Sequence, residues 1–212
     1  DGARVRYAAV QNLGQSTFNL TVRRAVLGRD ASVEWVVGEF GSRTSRTATV
    51  SVLAGSGSES KSIMVFFGDG AQHLDLSVTM QHVGAFTTGE MLAKGAVGGR
   101  ARVIYRGLTD IEHGAENASA FQRENTLILS KDARSDAIPG LEIDDNRVQA
   151  GHAATVGQVD ELLLFYLMSR GLSRRVATKL IVDGFFDPIM QRVPLAAVKD
   201  ELQRLIDGKM LG

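Results

Sequence analysis

The first 150 residues of this chain consist of short segments in which apolar and polar side chains alternate. In the clearest segment, residues 73–83, one face carries Leu74, Leu76, Val78 and Met80, and polar side chains occupy the other. Side chains of a β-strand point to opposite faces in turn, so this period of two predicts strands that bury one side. No helical period separates the segments, which argues against a helix after every strand. The sequence therefore predicts a mainly β body.

Three all-β architectures fit such a series of strands: a sandwich, a barrel and a parallel β-helix. No proline occurs before Pro139, and small residues fill turn-rich segments such as 54–60. Both features suit a β-helix, because stacked rungs of strands need every backbone N–H for their ladders. The alternation alone does not distinguish a β-helix from a sandwich, so both remain open at this point.

From Val159 the apolar period changes to that of helices. Asp160 is placed to cap a helix that ends at Gly171, since aspartate favours the N-cap and glycine the position after the last turn. Ser173 is placed to cap a second helix, which we expect to stop at Gly184.

A further short helical turn is expected to open at Pro188, because proline suits the first helical position. After Pro194 an apolar stripe predicts a last helix that closes at Gly208. The stripe consists of Leu195, Val198, Leu202 and Leu205 or Ile206. We therefore expect a β core over residues 1–158 and a helical domain over residues 159–212. A helical segment of this size builds little hydrophobic core by itself. It must therefore pack on the β body, on a partner or on both.

The composition argues against several classes of function. Lys+Arg and Asp+Glu both number 24, so no basic excess indicates a protein that binds nucleic acid or a membrane surface. The apolar run at residues 162–168 is too short to span a bilayer. Cysteine is absent, which excludes disulfides and thiolate metal sites and suits a cytoplasmic protein. The chain begins at Asp1 without a methionine, so we expect a fragment that lacks an N-terminal part.

Few residues form a pattern that indicates catalysis. The chain has no phosphate-binding loop, no nucleophile elbow and no paired-histidine zinc motif. His73 and His82 are nine residues apart, so one strand would turn them to opposite faces. His152 differs, because Gly151 and the alanines that follow leave its ring uncrowded. An imidazole there is able to ligate a metal or exchange a proton, although a structural role stays open on the residues alone.

Five segments of the chain have amino-acid sequences, and follow one another in an order, that are specific to one family. They are "FFGDGAQHLD" (66–75), "GAENASAFQRENTLILS" (114–130), "ARSDAIPGLEI" (133–143), "HAATVGQVDELLLFYLMSRG" (152–171) and "GFF" (184–186). Together they resemble the SufB/SufD family of iron–sulfur cluster assembly scaffolds. The resemblance implies a mainly β fold, a right-handed parallel β-helix with a small C-terminal α-helical domain. It also implies a scaffold rather than an enzyme.

Within this family the chain is more similar to SufD, because SufB carries cysteines in the stretch that corresponds to residues 124–143. The resemblance implies that the chain pairs with a SufB-like subunit and with a SufC-like ABC ATPase. It implies a transient iron–sulfur cluster at a partner interface, and no cluster bound tightly by this chain alone. His152 matches a histidine near that interface and is the expected metal or cluster ligand. Ala153, which follows it, departs from the glycine that is usual in the family.

The segment from Ser173 to Phe186 is the expected ATPase contact. Its partner-binding side chains would be Arg174, Arg175, Lys179, Phe185 and Phe186. An alternative is that the apolar side chains of this segment cap the end of the β-helix, as solenoids require.

Two other functions remain open. One is a polysaccharide-processing β-helix enzyme, although no acidic cluster recurs at rung spacing. The other is a structural dimerisation module, in which exposed strand edges of two copies pair and the isolated chain forms a homodimer.

Overall fold

The computed structural model describes residues 1–211 and contains eleven strands followed by three helices. The strands are β1 Arg4–Gln11, β2 Phe18–Leu27, β3 Ser32–Glu39, β4 Thr44–Leu53, β5 Glu59–Gly68, β6 His73–His82, β7 Thr88–Val97, β8 Arg102–Ile111, β9 Ser119–Ile128, β10 Arg134–Ile143 and β11 Gln149–Gln158. The helices are α1 Glu161–Ser169, α2 Arg174–Met190 and α3 Ala196–Leu211. The expected order of a β body followed by helices is confirmed.

The strands alternate between two parallel sheets. Odd-numbered strands form a six-stranded sheet in the order β1-β3-β5-β7-β9-β11, and even-numbered strands form a five-stranded sheet in the order β10-β8-β6-β4-β2. Each strand from β1 to β9 pairs with the strand two places further along the chain, so the chain stacks one rung on the next. This topology is a parallel β-helix of about five turns, which excludes the sandwich and the barrel.

The turns between the strands stack as regularly as the strands do. Four turns that lead from an even-numbered strand into the next odd-numbered one each contain a residue with φ between 53° and 72°. These residues are Asp30, Gly57, Phe86 and Asn117. A left-handed residue at the same place in each rung gives the chain the same sharp corner, so successive strands begin in register.

Side chains directed into the solenoid form the main core. It includes Trp35, Leu76 and Tyr105, all of them buried. In one column of the six-stranded sheet, Phe66 pairs with Gly95, and its ring occupies the space that a side chain at Gly95 would need. Large and small side chains of successive rungs thus complement each other in the interior.

A second core lies between the outer face of the six-stranded sheet and the helices α2 and α3. The sheet contributes apolar side chains at outward positions, and the helices contribute one buried stripe each. The members include Val36, Ile63, Val65, Phe67, Val182, Phe186, Ile189, Leu202 and Ile206. The helices therefore cover the side of the β-helix, and the alternative that they cap its end is wrong.

The predicted starts of the first two helices are confirmed. The Asp160 side chain accepts hydrogen bonds from the backbone N–H groups of Leu162 and Leu163, and Ser173 Oγ accepts one from Val176. These bonds satisfy backbone donors that have no partner within the helix.

The predicted ends of the later helices are wrong. Helix α2 continues through both Gly184 and Pro188, so the separate turn expected there belongs to the same helix. Helix α3 likewise continues through Gly208. Phe186, beyond the first of these glycines, is buried against the sheet. Its burial offsets the roughly 1 kcal/mol that a glycine costs inside a helix.

Replacement of Gly95 by alanine should destabilise the β-helix. The new Cβ would lie 1.8 Å from Cε2 of Phe66, so the buried ring has to move. Overpacking of this kind costs about 1–3 kcal/mol, and we expect a lower midpoint of urea unfolding with an unchanged m-value. Gly157→Ala is the matched control, because no atom lies within 4 Å of a Cβ added there. Equal midpoints for the two variants would contradict this account of the core.

Candidate functional site

His152 lies on β11, the last strand of the six-stranded sheet, which pairs with β9. Its position continues an inward-facing column whose earlier members, Trp35, Ser62, Met91 and Gln122, are buried. Within residues 1–211 no further rung covers β11, so His152 is exposed. The imidazole therefore stands on the interior column at an open end of the solenoid.

His152 is the one ionisable side chain at the inward positions of the end rung formed by β10 and β11. Those positions hold Ser135, Ala137, Pro139, Leu141 and Ile143 on β10, and Ala150, His152, Ala154 and Val156 on β11. Ile143 and Val156 are 43% and 42% exposed, because nothing stacks on them within the described part of the chain. A partner at this end would meet a single imidazole among small and apolar side chains.

Gln122 lies beneath the imidazole, one rung further inside. Its Nε2 donates to the backbone oxygen of Gly140 at 3.0 Å and lies 3.5 Å from Nδ1 of His152. The second distance is at the outer limit of a hydrogen bond. The other ring nitrogen, Nε2, makes no hydrogen bond to any residue that the structure describes. This nitrogen is available to a metal, a proton or a partner.

Both strands of the end rung have a free edge. Within the described residues 1–211, β10 pairs only with β8, and β11 only with β9. Parallel strands with one neighbour leave a row of backbone N–H and C=O groups without a ladder partner. The edge of β11 runs on both sides of His152, so a strand added there would pass directly beside the imidazole.

Glu124 is a buried carboxyl in the interior of the rung below. It lies on β9, two residues from Gln122, and the hydroxyl of Thr126 donates to its Oε1 while Oε2 has no partner. Burial raises its pKa to about 7, and the hydrogen bond from Thr126 offsets this only in part. This group was not among the candidate residues expected from the sequence. The polarity of β9 is in fact inverted, with Phe121 outside and the polar side chains inside.

Two other buried ionisable groups lie away from the open end. Glu39 is fully buried and lies 3.5 Å from the guanidinium of Arg23, yet burial raises its pKa to about 7 because desolvation outweighs that charge. Burial lowers the pKa of His82 to about 4, and its Nδ1 lies 2.8 Å from the hydroxyl of Thr87. His73 is exposed on the outside, so the expected opposite faces of His73 and His82 are confirmed.

The described residues do not form a metal centre by themselves. Among them, no group of three or more histidine, cysteine, aspartate or glutamate side chains is arranged to hold a metal ion. His152 supplies one nitrogen ligand, so a metal or cluster held there needs further ligands from another molecule.

Within residues 1–211, no helix has both the length and the apolar content needed to cross a bilayer.

The residues expected to contact an ATPase divide into two groups. Arg174 and Arg175 are exposed, and Nη2 of Arg174 lies 2.9 Å from the carboxylate of Glu161. Phe185 and Phe186 pack together with ring centroids 5.3 Å apart, and Phe186 is buried in the second core. The arginines therefore face solvent, while Phe186 has a structural position.

Lys179 belongs to a local ion-pair network. Its Nζ lies 2.6 Å from Asp183 and 3.0 Å from Asp207, so it joins α2 to α3. The hydrogen bond to Asp183, together with that to Asp207, raises the pKa of Lys179. The ammonium group of Lys179 is therefore already paired with carboxylates of this chain.

An exposed apolar surface on α1 was not singled out from the sequence. Leu162 and Phe165 are 81% and 71% exposed, and Tyr166 beside them is exposed as well. Of the residues of α1, Leu164 alone is buried, although residues 162–168 form a dense apolar run. Large apolar side chains that cluster in solvent mark an interaction surface.

Glu124→Gln should remove a pH dependence of stability. The pKa of Glu124 is raised to about 7 in the folded protein from its ordinary 4.5. Its contribution is therefore fully present below pH 4.5 and is lost as the pH rises through 7. Across that window the wild type should lose up to about 3 kcal/mol of unfolding free energy relative to the variant. Urea unfolding at several pH values measures the difference.

Glu142→Gln is the matched control, because Glu142 is exposed on the neighbouring strand β10. The raised pKa of Glu124 would be contradicted if the unfolding free energy of Glu124→Gln varied with pH in the same way as that of the wild type and of Glu142→Gln.

Comparisons with known proteins match nearly the whole chain. The family described as "SUF system FeS cluster assembly, SufBD core domain" matches residues 1–185. The iron–sulfur cluster assembly protein SufD of Bacillus subtilis (strain 168) is 37% identical over 211 residues, which cover 99% of this chain and 48% of that protein. SufB of the same organism is 33% identical over 211 residues, which cover 100% of this chain and 45% of SufB. A SufBD family protein of Mycobacterium leprae is 34% identical over 210 residues, which cover 99% of this chain and 24% of that protein.

The chain thus spans about half the length of the Bacillus relatives, or slightly less. The family match includes all eleven strands, α1 and most of α2, and therefore the whole end rung with His152. The chain belongs to the SufBD core-domain family of the SUF system for iron–sulfur cluster assembly.

Proposed function

We propose that this chain is a SufD-type scaffold subunit of a cytoplasmic iron–sulfur cluster assembly complex, with no catalytic step of its own. The observation that carries the proposal is the exposed imidazole of His152 at the open end of a β-helix, in a chain without cysteine. The identity of 37% with SufD of Bacillus subtilis, against 33% with SufB, supports the SufD type.

The partner at the open end is a SufB-like subunit. The free edges of β10 and β11 suit β-augmentation, in which strands of the partner continue both ladders and satisfy the unpaired backbone groups. Such pairing would also bury Ile143 and Val156, which the end rung leaves in solvent. A homodimer could use the same edges, and a mixture of the two subunits tests which pairing is preferred.

The iron–sulfur cluster is the cargo of this complex, and its ligands come from both subunits. The SufB-like partner would contribute thiolates, because this chain has none. His152 would contribute Nε2, the ring nitrogen that faces away from Gln122. Iron–sulfur centres accept such mixed sets of cysteine and histidine ligands.

The SufC-like ATPase docks on the helical segment of residues 159–212, which we treat as a separate domain. Its contact surface consists of the exposed apolar side chains of α1, with Arg174 and Arg175 at the rim. Phe185 and Phe186 attach α2 to the sheet, and α2 in turn contacts α1. Apolar anchors surrounded by charged side chains are the usual composition of a protein interface.

His152→Ala should lower the cluster content of the assembled complex without preventing its assembly. The exposed imidazole contributes little to the fold, so the loss should reflect one missing ligand. Removal of a metal-site group typically weakens metal binding by about tenfold or more. The measurement is iron and acid-labile sulfide per complex after anaerobic reconstitution with the SufB-like partner, with complex size checked by chromatography.

His73→Ala is the control for this experiment, since His73 is an exposed histidine on the outside of the other sheet. Wild-type iron and sulfide in an intact His152→Ala complex would remove His152 from the cluster site.

A Leu162→Asp/Phe165→Asp double variant should lose the ATPase while remaining folded. Two charges replace the most exposed apolar side chains of α1, and neither position lies in the core. An interface anchor contributes about 2 kcal/mol or more, which corresponds to roughly thirtyfold in affinity. Binding is measured by titration of the SufC-like ATPase and folding by thermal unfolding.

Leu20→Asp is the control, because Leu20 is also apolar and largely exposed but lies on β2, at the opposite end of the β-helix. Unchanged ATPase affinity in the folded α1 variant would exclude this surface as the docking site.

A further inference from the structure

A cleft lies on the outer face of the six-stranded sheet, where α2 passes over β7 and β9. It has a volume of about 120 Å³, and its lining includes Leu92, Lys94, Arg123, Asn125, Ile189 and Arg192. The two β-strands contribute the first four of these side chains, helix α2 contributes Ile189, and Arg192 lies in the turn that follows the helix. The site is separate from His152, which lies on the inward column, and from the exposed face of α1.

Two cations in this cleft have no neutralising partner. Lys94 and Arg123 lie on adjacent strands, and within residues 1–211 neither has a carboxylate within ion-pair distance. Burial lowers the pKa of Lys94, and the positive charge of Arg123 lowers it further. Arg192 differs, because it pairs with both carboxylate oxygens of Glu90, at 2.7 and 2.8 Å.

Both cations are held in place although they repel each other. Nζ of Lys94 donates to the backbone oxygen of Phe185 at 2.6 Å and lies 4.5 Å from the centre of the Phe185 ring. The guanidinium of Arg123 lies 5.2 Å from the centre of the Phe121 ring. Neutral oxygen and aromatic groups orient the two charges without neutralising them. An anion bound between them would relieve the repulsion at little cost in side-chain ordering.

We propose that this cleft binds a small tetrahedral oxoanion, either free phosphate or the phosphoryl group of a phosphorylated small molecule. Lys94 supplies a point charge, Arg123 supplies the planar fork of donors that matches phosphate oxygens, and the Asn125 amide adds a neutral donor. The apolar side chains of Leu92 and Ile189 limit the space around these donors. The inference does not depend on the scaffold function, since it concerns other residues and another face.

The test is calorimetric titration of the purified protein with inorganic phosphate, at an ionic strength held constant with sodium chloride. We expect saturable binding that Arg123→Gln weakens about tenfold, as for the loss of a charge-assisted hydrogen bond, and that Arg123→Lys weakens less, because lysine keeps the charge but not the fork of donors. Arg123 is exposed, so neither variant should disturb the fold. Tighter binding of glycerol 3-phosphate than of phosphate would support a phosphorylated small molecule as the ligand, and the reverse order would support free phosphate.

Arg102→Gln is the matched control. Arg102 is an exposed arginine on the outer face of the other sheet, and it makes no ion pair with a residue that the structure describes. Equal weakening by Arg102→Gln and Arg123→Gln would attribute the binding to general surface charge and overturn the proposal. No saturable binding below about 10 mM phosphate would overturn it as well.

Discussion

The backbone ladder between successive rungs is the interaction on which the rest of this structure depends. Every internal strand pairs on both sides, and a buried peptide group without a partner would cost about 1–3 kcal/mol. The ladder can therefore end only where water or another chain forms hydrogen bonds to the backbone groups of the last strand. Among the described residues it ends at β1 and β2 on one side and at β10 and β11 on the other. The free edges and the exposure of His152 both follow from that ending.

The sequence predicts the elements of this fold better than their arrangement. Alternation such as that of Leu74 and Leu76 identifies strands, because the period of two is a local property of the backbone. The choice between a sandwich and a β-helix depends on which strands pair, and pairs such as Phe66 with Gly95 lie about one rung apart in sequence. That choice came from the family resemblance and not from the residues alone.

The errors in helix boundaries have a similar cause. Gly184 is a local signal for a helix end and Pro188 for a helix start, and in an isolated peptide they would divide α2 in two. In the folded chain, the side chains of Val182, Phe186 and Ile189 continue one buried stripe past both residues. Tertiary packing thus outweighs local preference, which a single sequence does not reveal.

The candidate site could be predicted only in part, because polarity does not say which face of a solenoid strand is inside. On β9 the polar Gln122 and Glu124 are buried and the apolar Phe121 is exposed, since the stacked register and not the polarity of each residue sets the direction. The small neighbours of His152 made it a candidate, the resemblance supplied its expected role, and its relation to Gln122 follows only from the register. Glu124 gave no signal beyond the inverted alternation of its own strand.

An open solenoid end also limits what kind of site it can form. Only the inward positions of the last two strands reach the end face, and here they supply one imidazole among small and apolar side chains. A metal site that needs several ligands cannot be completed from such a surface, whereas a shared site can. The pairing that satisfies the free backbone edges would bring the partner's side chains to the same place. On the proposed function, the absence of cysteine in this chain is therefore consistent with a scaffold, because the end rung contributes one half of a site that two subunits complete.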